Sequence, residues 1–294
     1  MTPTFTTGAE LLGSWFADVE RGDPPVRFQL TGPFTGLDMR PGRLILFGGA
    51  PGGGKTAALL QVGIDLLRRN APARLLVANV EMMPTLLVER IAARLSGVPL
   101  TAIADRTLTD GQRDLVRAAV VALEPIAARL AFLHAPFAVE HVAAAGTAFG
   151  ANVLVLDYLQ RFTVGDGSQD KREQLETAAT MLRRCCDVGA AVLVASAVAR
   201  QKSAHGSTYQ GLSLASFRGS SEIEYGTDAA YLLVPDEAGG IVFQCEKNRY
   251  GPVVDIVTRF EPTTQTFTPA PCGLDGFDTV TAAPTRGAGS RRGD

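Results

Sequence analysis

The chain has 294 residues, 46% of them hydrophobic and 20% charged, with a formal net charge of −2 and four cysteines. That composition can bury a full-sized core without disulfides, which excludes disorder, a collagen-like repeat and a disulfide scaffold, as well as the polycationic character by which some proteins coat nucleic acid indiscriminately. No apolar run approaches the roughly 18 residues of a membrane span, and Glu10 and Asp18 stand where a secretory leader would be basic and then apolar. A cytoplasmic protein with no membrane partner is expected.

Residues 9–20 place Leu11, Leu12, Trp15 and Phe16 on one face of a short helix, and Gly22-Asp23-Pro24-Pro25 breaks it. After Arg43 the run Leu44-Ile45-Leu46-Phe47 predicts a buried strand leading into a glycine-rich turn. Leu59, Val62, Leu66 and Leu67 then keep helical spacing until Asn70-Ala71-Pro72. A second strand is expected at Leu75-Leu76-Val77-Ala78, followed by a helix over 85–95 closed by Gly97. Next come a helix after Thr109-Asp110, an apolar run at 130–133, an alanine-rich helix and the strand Val153-Leu154-Val155-Leu156 ending at Asp157. A helix over 169–188 feeds the strand 191–195.

Strands that are apolar nearly throughout, alternating with helices, belong to a parallel sheet covered on both faces. Residues 200–217 are polar and read as a loop. From Ala229 the rhythm becomes strand, turn, strand, turn, strand, which predicts antiparallel strands at one edge of the sheet. Beyond Pro269 the periodicity stops and a flexible tail is expected. Cys185, Cys186, Cys245 and Cys272 form no C-x-x-C pair, so zinc is not expected.

Gly49-Ala50-Pro51-Gly52-Gly53-Gly54-Lys55-Thr56 matches G-x-x-x-x-G-K-[ST] in full and lies between an expected strand and an expected helix. A chain of this composition would contain on the order of 0.006 such matches by chance. In such a loop backbone N–H groups wrap phosphates and the helix N-terminus adds its dipole. Lys55 would reach the β- and γ-phosphates, and Thr56 would offer its hydroxyl to Mg²⁺. ATP and Mg²⁺ are the expected cofactors, with Gly49 through Gly54, including Ala50, Pro51, Gly52 and Gly53, then Lys55, Thr56 and Ala57, around the nucleotide.

Asp157 ends the most apolar strand, where a carboxylate can hold Mg²⁺ beside Thr56. Glu81 directly follows the strand over 75–79, so its carboxylate can share that sheet edge and orient an attacking water. Only four of the 28 basic residues are lysines, Lys55, Lys171, Lys202 and Lys247, so their placement is informative. Lys247 and Arg249, two apart at a strand end, put both side chains on one side, a poor place for fixed cations unless something anionic meets them. The polar stretches 161–172 and 200–217 follow strands at the edge that carries the phosphate loop. Arg161, Lys171, Arg172, Arg200 and Lys202 there are candidates for nucleic-acid contact. Few cations per subunit suffice when several subunits line one channel.

Five segments in order carry a resemblance: the glycine-rich loop, Val80-Glu81-Met82 with Arg90 downstream, Leu154-Val155-Leu156-Asp157-Tyr158-Leu159-Gln160, Phe217-Arg218-Gly219-Ser220-Ser221-Glu222-Ile223-Glu224, and Lys247-Asn248-Arg249-Tyr250-Gly251. Together they resemble the RecA-type motor domain of DnaB replicative helicases, and Thr31-Gly32-Pro33-Phe34-Thr35-Gly36-Leu37-Asp38 is similar to the segment that opens it. The resemblance implies an α/β, RecA-like P-loop NTPase with a mostly parallel central sheet flanked by helices. It implies an arm over 1–29, an ATPase domain over 30–268 and a tail over 269–294. Glu81 would be the catalytic glutamate, Asp157 the metal-holding aspartate and Arg90 a nucleotide contact, with Lys247 and Arg249 reaching the γ-phosphate of a neighbouring subunit. The working unit would be a homo-oligomer, a hexameric ring on single-stranded DNA, served by a loader or other replication partner.

The chain departs from that pattern in the stretch after the strand 191–195. Where DnaB-type chains carry Ser-Gln-Leu-x-Arg, it reads Ser196-Ala197-Val198-Ala199-Arg200, so Ser196 or Arg200 would take over phosphate sensing or coupling is weakened. The family's helical collar domain is expected to be absent, with the 9–20 helix resembling the linker helix that packs on the adjacent subunit. The alternative expectation is a nucleotide-switched scaffold that binds DNA or a partner without unwinding.

Overall fold

A computed structural model describes residues 5–165, 170–198, 201–203, 206–208, 226–236 and 239–270; for Lys171, 201–203 and 206–208 only the backbone is described. The helices are α1 (Gly8–Arg21), α2 (Lys55–Arg69), α3 (Pro84–Ser96), α4 (Leu100–Ala104), α5 (Asp110–Ala127), α6 (Val139–Phe149) and α7 (Lys171–Asp187). The strands are β1 (Leu44–Gly49), β2 (Leu75–Asn79), β3 (Leu130–Phe132), β4 (Val153–Asp157), β5 (Ala191–Ala197), β6 (Gln201–Ser203), β7 (Gly206–Thr208), β8 (Ala229–Pro235), β9 (Ile241–Asn248), β10 (Ile256–Glu261) and β11 (Thr266–Pro269).

Nine of these strands form one sheet in the order β11-β10-β9-β8-β1-β5-β4-β2-β3. The six from β8 to β3 pair in parallel, and β9, β10 and β11 extend the sheet antiparallel beyond β8. The unbroken hydrophobicity of β1 follows from burial on both faces. Ile45 and Phe47 join the core beneath α2 and α3, while Leu44 and Leu46 join the core beneath α6 and α7. Each such side chain, fully buried, contributes about 1.5–3 kcal/mol. Helix ends follow their sequence signals: Thr109 and Gln112 form a capping box at the start of α5, and Gly97 closes α3 in the left-handed conformation.

The expected fold class is what the structure shows, with differences in detail. The short helix α4 was not legible in the pattern, and β11 was not separated from β10. The loop expected over 200–217 contains the hairpin β6–β7, whose three-residue strands are too short to display an alternation. Phe162 and Val164, read as part of a solvated polar loop, are buried in the core against α6, where Gly165 donates to Glu140 and Thr163 bridges Ala138. Arg249 lies one residue beyond β9, and the bulge in that strand falls at Glu246, before Lys247. The shared place of Lys247 and Arg249 at the end of β9 holds.

The helix α1 carries its own capping box from Thr7 and Glu10 but buries no residue, and Leu11, Leu12, Trp15, Phe16 and Val19 are all exposed. No helix among the described residues is long and apolar enough to cross a membrane.

Candidate active site

Parallel strands deliver their C-terminal ends to one edge, and that edge carries the site. The loop from Gly49 to Gly54 joins β1 to α2. Gly52 and Gly54 have φ of 76° and 85°, a region that a Cβ makes costly. At Gly54 a Cβ would also lie 2.9 Å from the Phe267 ring. Gly54 caps α2 without a side chain, so the first-turn N–H groups are left facing the loop.

A cavity of about 560 Å³ opens there, lined by Gly49, Pro51, Gly52, Gly54, Lys55, Thr56, Ala57, Glu81, Arg90, Asp157, Ala197, Phe260, Pro262 and Gln265 among others. Lys55 Nζ donates to the carbonyls of Gly49 (2.9 Å) and Ala50 (2.8 Å). Ala50 and Gly53 belong to the loop itself and are tied by Gly53 N–H donating to the Ala50 carbonyl at 3.1 Å. Burial pushes the Lys55 ammonium below its ordinary value, and the Asp157 and Glu81 carboxylates oppose that shift.

Thr56 Oγ1 donates to Asp157 Oδ2 at 2.5 Å, joining the start of α2 to the end of β4. The β2–β4 register sets Asn79 opposite Asp157, and Asn79 Nδ2 donates to the same oxygen at 2.8 Å. The Asn79 Oδ1 in turn accepts the backbone N–H groups of Glu81 (2.9 Å) and Met82 (2.7 Å), which fixes the turn that carries Glu81. Asp157 is buried, and desolvation raises its pKa above the ordinary value against the lowering influence of Thr56, Lys55 and Asn79. Arg90, on α3, reaches across to Gln265 in the β10–β11 turn; burial lowers its pKa and Asp157 raises it.

Asn79 escaped the sequence reading, although a polar residue ending an apolar strand just before Glu81 was its signal. Gln160 escaped it too. Its side chain donates to Ser196 Oγ (2.7 Å) and to the Ala197 carbonyl (3.2 Å), and accepts the Ala197 N–H (3.0 Å). Both polar backbone groups of the residue that stands in place of glutamine are thus held by a side chain from the 3-10 turn that follows β4.

The structure does not bring all candidates to this cavity. Arg249 and Lys247 sit at the opposite end of the sheet, where Asn248 pairs with Ala229 and Lys247 with Ala230 at the start of β8. Arg161 is exposed just past β4, and Arg172 is exposed in the first turn of α7, paired with Glu176 at 2.9 Å. Arg200 lies outside the described residues, as do the side chains of Lys171 and Lys202.

A phosphate-wrapping loop at the C-terminal edge of a mostly parallel sheet, with a carboxylate at the end of a nearby strand, defines a RecA-like P-loop NTPase. Within that class, the chain belongs to the family described as DnaB-like helicase C terminal domain, whose profile matches residues 29–269. Among solved structures it is similar to a DnaB-like replicative helicase reported with its interactions with primase. The TM-score there is 0.78 and the identity 17%, over 90% of this chain and 68% of that one. It is also similar to a separately solved ATPase domain, with a TM-score of 0.78 and 18% identity over 90% of this chain and 99% of that one. No curated protein sequence matches it.

Proposed function

We propose that this chain is the ATP-hydrolysing motor of a DnaB-type helicase, working as a ring, hexameric by resemblance, that moves along single-stranded DNA during replication. The observation that carries the reading is the Thr56–Asp157 hydrogen bond at 2.5 Å, which brings the two expected metal-holding groups together beside Lys55 and Glu81. Among the described residues no group of three or more His, Cys, Asp or Glu could hold a metal alone. A hydroxyl beside one carboxylate instead suits Mg²⁺, which takes hard oxygen ligands and leaves most positions to phosphates and water. When bound, Mg²⁺ neutralises charge developing between the phosphates.

The residues divide the remaining work. The loop N–H groups and Lys55 hold the β- and γ-phosphates, and Glu81 orients water for in-line attack. Arg90 meets the nucleotide on the side closed by Gln265, Phe260 and Pro262. Lys247 and Arg249 belong to the site of the next subunit. Arg249 lies at the level of Leu44, five residues or about 17 Å from Gly49 at about 3.3 Å per residue, too far for its side chain to serve its own P-loop. The exposed apolar face of α1 is suited to packing on an adjacent subunit, as the linker of a ring. Arg161, Lys171, Arg172, Arg200 and Lys202 would face the strand in the channel. The arm over 1–29, motor over 30–268 and tail over 269–294 complete the organisation, and a loader would place the ring.

A second reading is favoured by Ala197, whose methyl group lines the cavity where a glutamine would sense the γ-phosphate. In that reading the chain is a nucleotide-switched scaffold that assembles without unwinding. Mixing experiments test the ring. Lys55→Ala and Arg249→Ala subunits, each inactive alone, regain hydrolysis when combined if the fingers act in trans. No recovery at any mixing ratio contradicts the proposal.

A further inference from the structure

The sheet end remote from the P-loop holds a buried carboxylate that neither the motifs nor the nucleotide site accounts for. Asp228 immediately precedes β8, and its side chain is 2% exposed. Its Oδ2 accepts the Leu44 N–H at 2.9 Å and Arg183 Nη1 at 2.7 Å. Its Oδ1 accepts Arg249 Nη1 at 3.3 Å, and its backbone carbonyl accepts the Arg249 N–H at 2.8 Å. Arg183 is itself anchored by the Gly42 carbonyl (2.8 Å) and by Asp187 (3.0 Å). Next to the finger, the Tyr250 ring lies under the Arg43 guanidinium, 3.2 Å from the ring centroid.

We infer that Asp228 is the positioning residue of the Arg249 finger, fixing both its backbone and its head group for the phosphate of the neighbouring subunit. The inference rests on the proposed trans role of Arg249. A buried carboxylate is costly unless its lone pairs are met. Here one oxygen is met by a backbone N–H and the anchored Arg183, and the other is turned to Arg249. The Arg249 side chain is 46% exposed against 27% for Arg183, and its contact is the longer of the two. The finger can therefore leave for an anion while Arg183 and the Leu44 N–H keep Asp228 compensated. Leu44 also begins β1, so the group that sets the finger is bonded to the strand whose far end is the P-loop.

The test is ATP hydrolysis by full-length protein, alone and in mixed rings. Asp228→Asn lowers kcat by roughly 10- to 100-fold, the scale of a misplaced reacting group, with KM for ATP unchanged because its own P-loop is intact. Mixed with Lys55→Ala subunits, which carry a dead site and an intact finger, it regains turnover. The double variant Asp228→Asn/Arg249→Ala is no slower than Arg249→Ala alone, since a residue acting only through Arg249 has nothing further to lose.

Full kcat in Asp228→Asn, additive losses in the double variant, or rescue of Arg249→Ala without rescue of Asp228→Asn each overturns the inference. Failure to rescue Arg249→Ala itself removes the trans reading and the inference with it. Should Asp228→Asn not fold, Asp228→Ser keeps an oxygen for the Leu44 N–H and predicts the same kinetics. If both variants melt below the assay temperature, Asp228 is a structural residue and the inference falls.

Discussion

Asp157, buried beside Thr56, carries its charge at a cost in the folded protein. Burial holds its pKa above the ordinary value, so the native state binds that proton more tightly than the unfolded chain. The associated stability is full below the ordinary carboxylate pKa and is lost as pH rises through the raised folded value. At neutral pH Asp157→Asn therefore raises Tm while hydrolysis is lost, and the gain shrinks as the pH is lowered into the acid range. Thermal melts of both proteins across pH check it, and a less stable variant at neutral pH contradicts it. Glu81→Gln lowers turnover by about 100-fold or more and leaves nucleotide binding intact, as read by fluorescent-nucleotide titration. The shared place of Lys55, Thr56, Glu81 and Asp157 at one cavity was legible because it follows from position along the chain, after a strand or at the start of a helix. Asn79, Gln160 and Asp228 were not, because each acts on a partner distant in sequence that only the folded sheet brings near.

The antiparallel strands are fastened to the P-loop helix through one side chain. Buried Gln61 on α2 donates to the Phe267 carbonyl and accepts the Phe267 N–H on β11, both at 2.8 Å. Gln61→Leu keeps the volume but strands two buried backbone groups at about 1–3 kcal/mol each. A loss of about 2–6 kcal/mol in urea unfolding is expected, and a change under 1 kcal/mol would show that the tie is dispensable. The opposite result is expected for α1. Because none of its residues is buried, Leu12→Glu and Trp15→Ala leave the melt unchanged and weaken assembly, as read by sedimentation. An altered melt with unaltered assembly contradicts the linker role. The parallel strands and long helices could be read from the sequence because burial on both faces writes unbroken apolar runs. The elements that were missed, α4, β6–β7 and β11, are three to five residues long, shorter than a period can establish. Phe162 and Val164 were hidden by the polar residues around them.

The molecule places the P-loop cavity and the Lys247–Arg249 segment at opposite ends of one sheet. The C-terminal edge carries the P-loop, and the N-terminal edge presents Lys247 and Arg249, the latter held through Asp228 to the strand that ends in the P-loop. On the proposed reading such a subunit is incomplete by itself, and a closed ring is the arrangement in which every site gains its neighbour's finger. Whether hydrolysis is then tied to a DNA strand turns on the β5 end, where Gln160 grips the backbone of Ala197 while the side chain that would sense the γ-phosphate is reduced to a methyl group. The most direct measurement is steady-state ATP hydrolysis with and without single-stranded DNA, with Glu81→Gln as the inactive control. A motor predicts strong stimulation by DNA. Turnover that DNA leaves unchanged would contradict it.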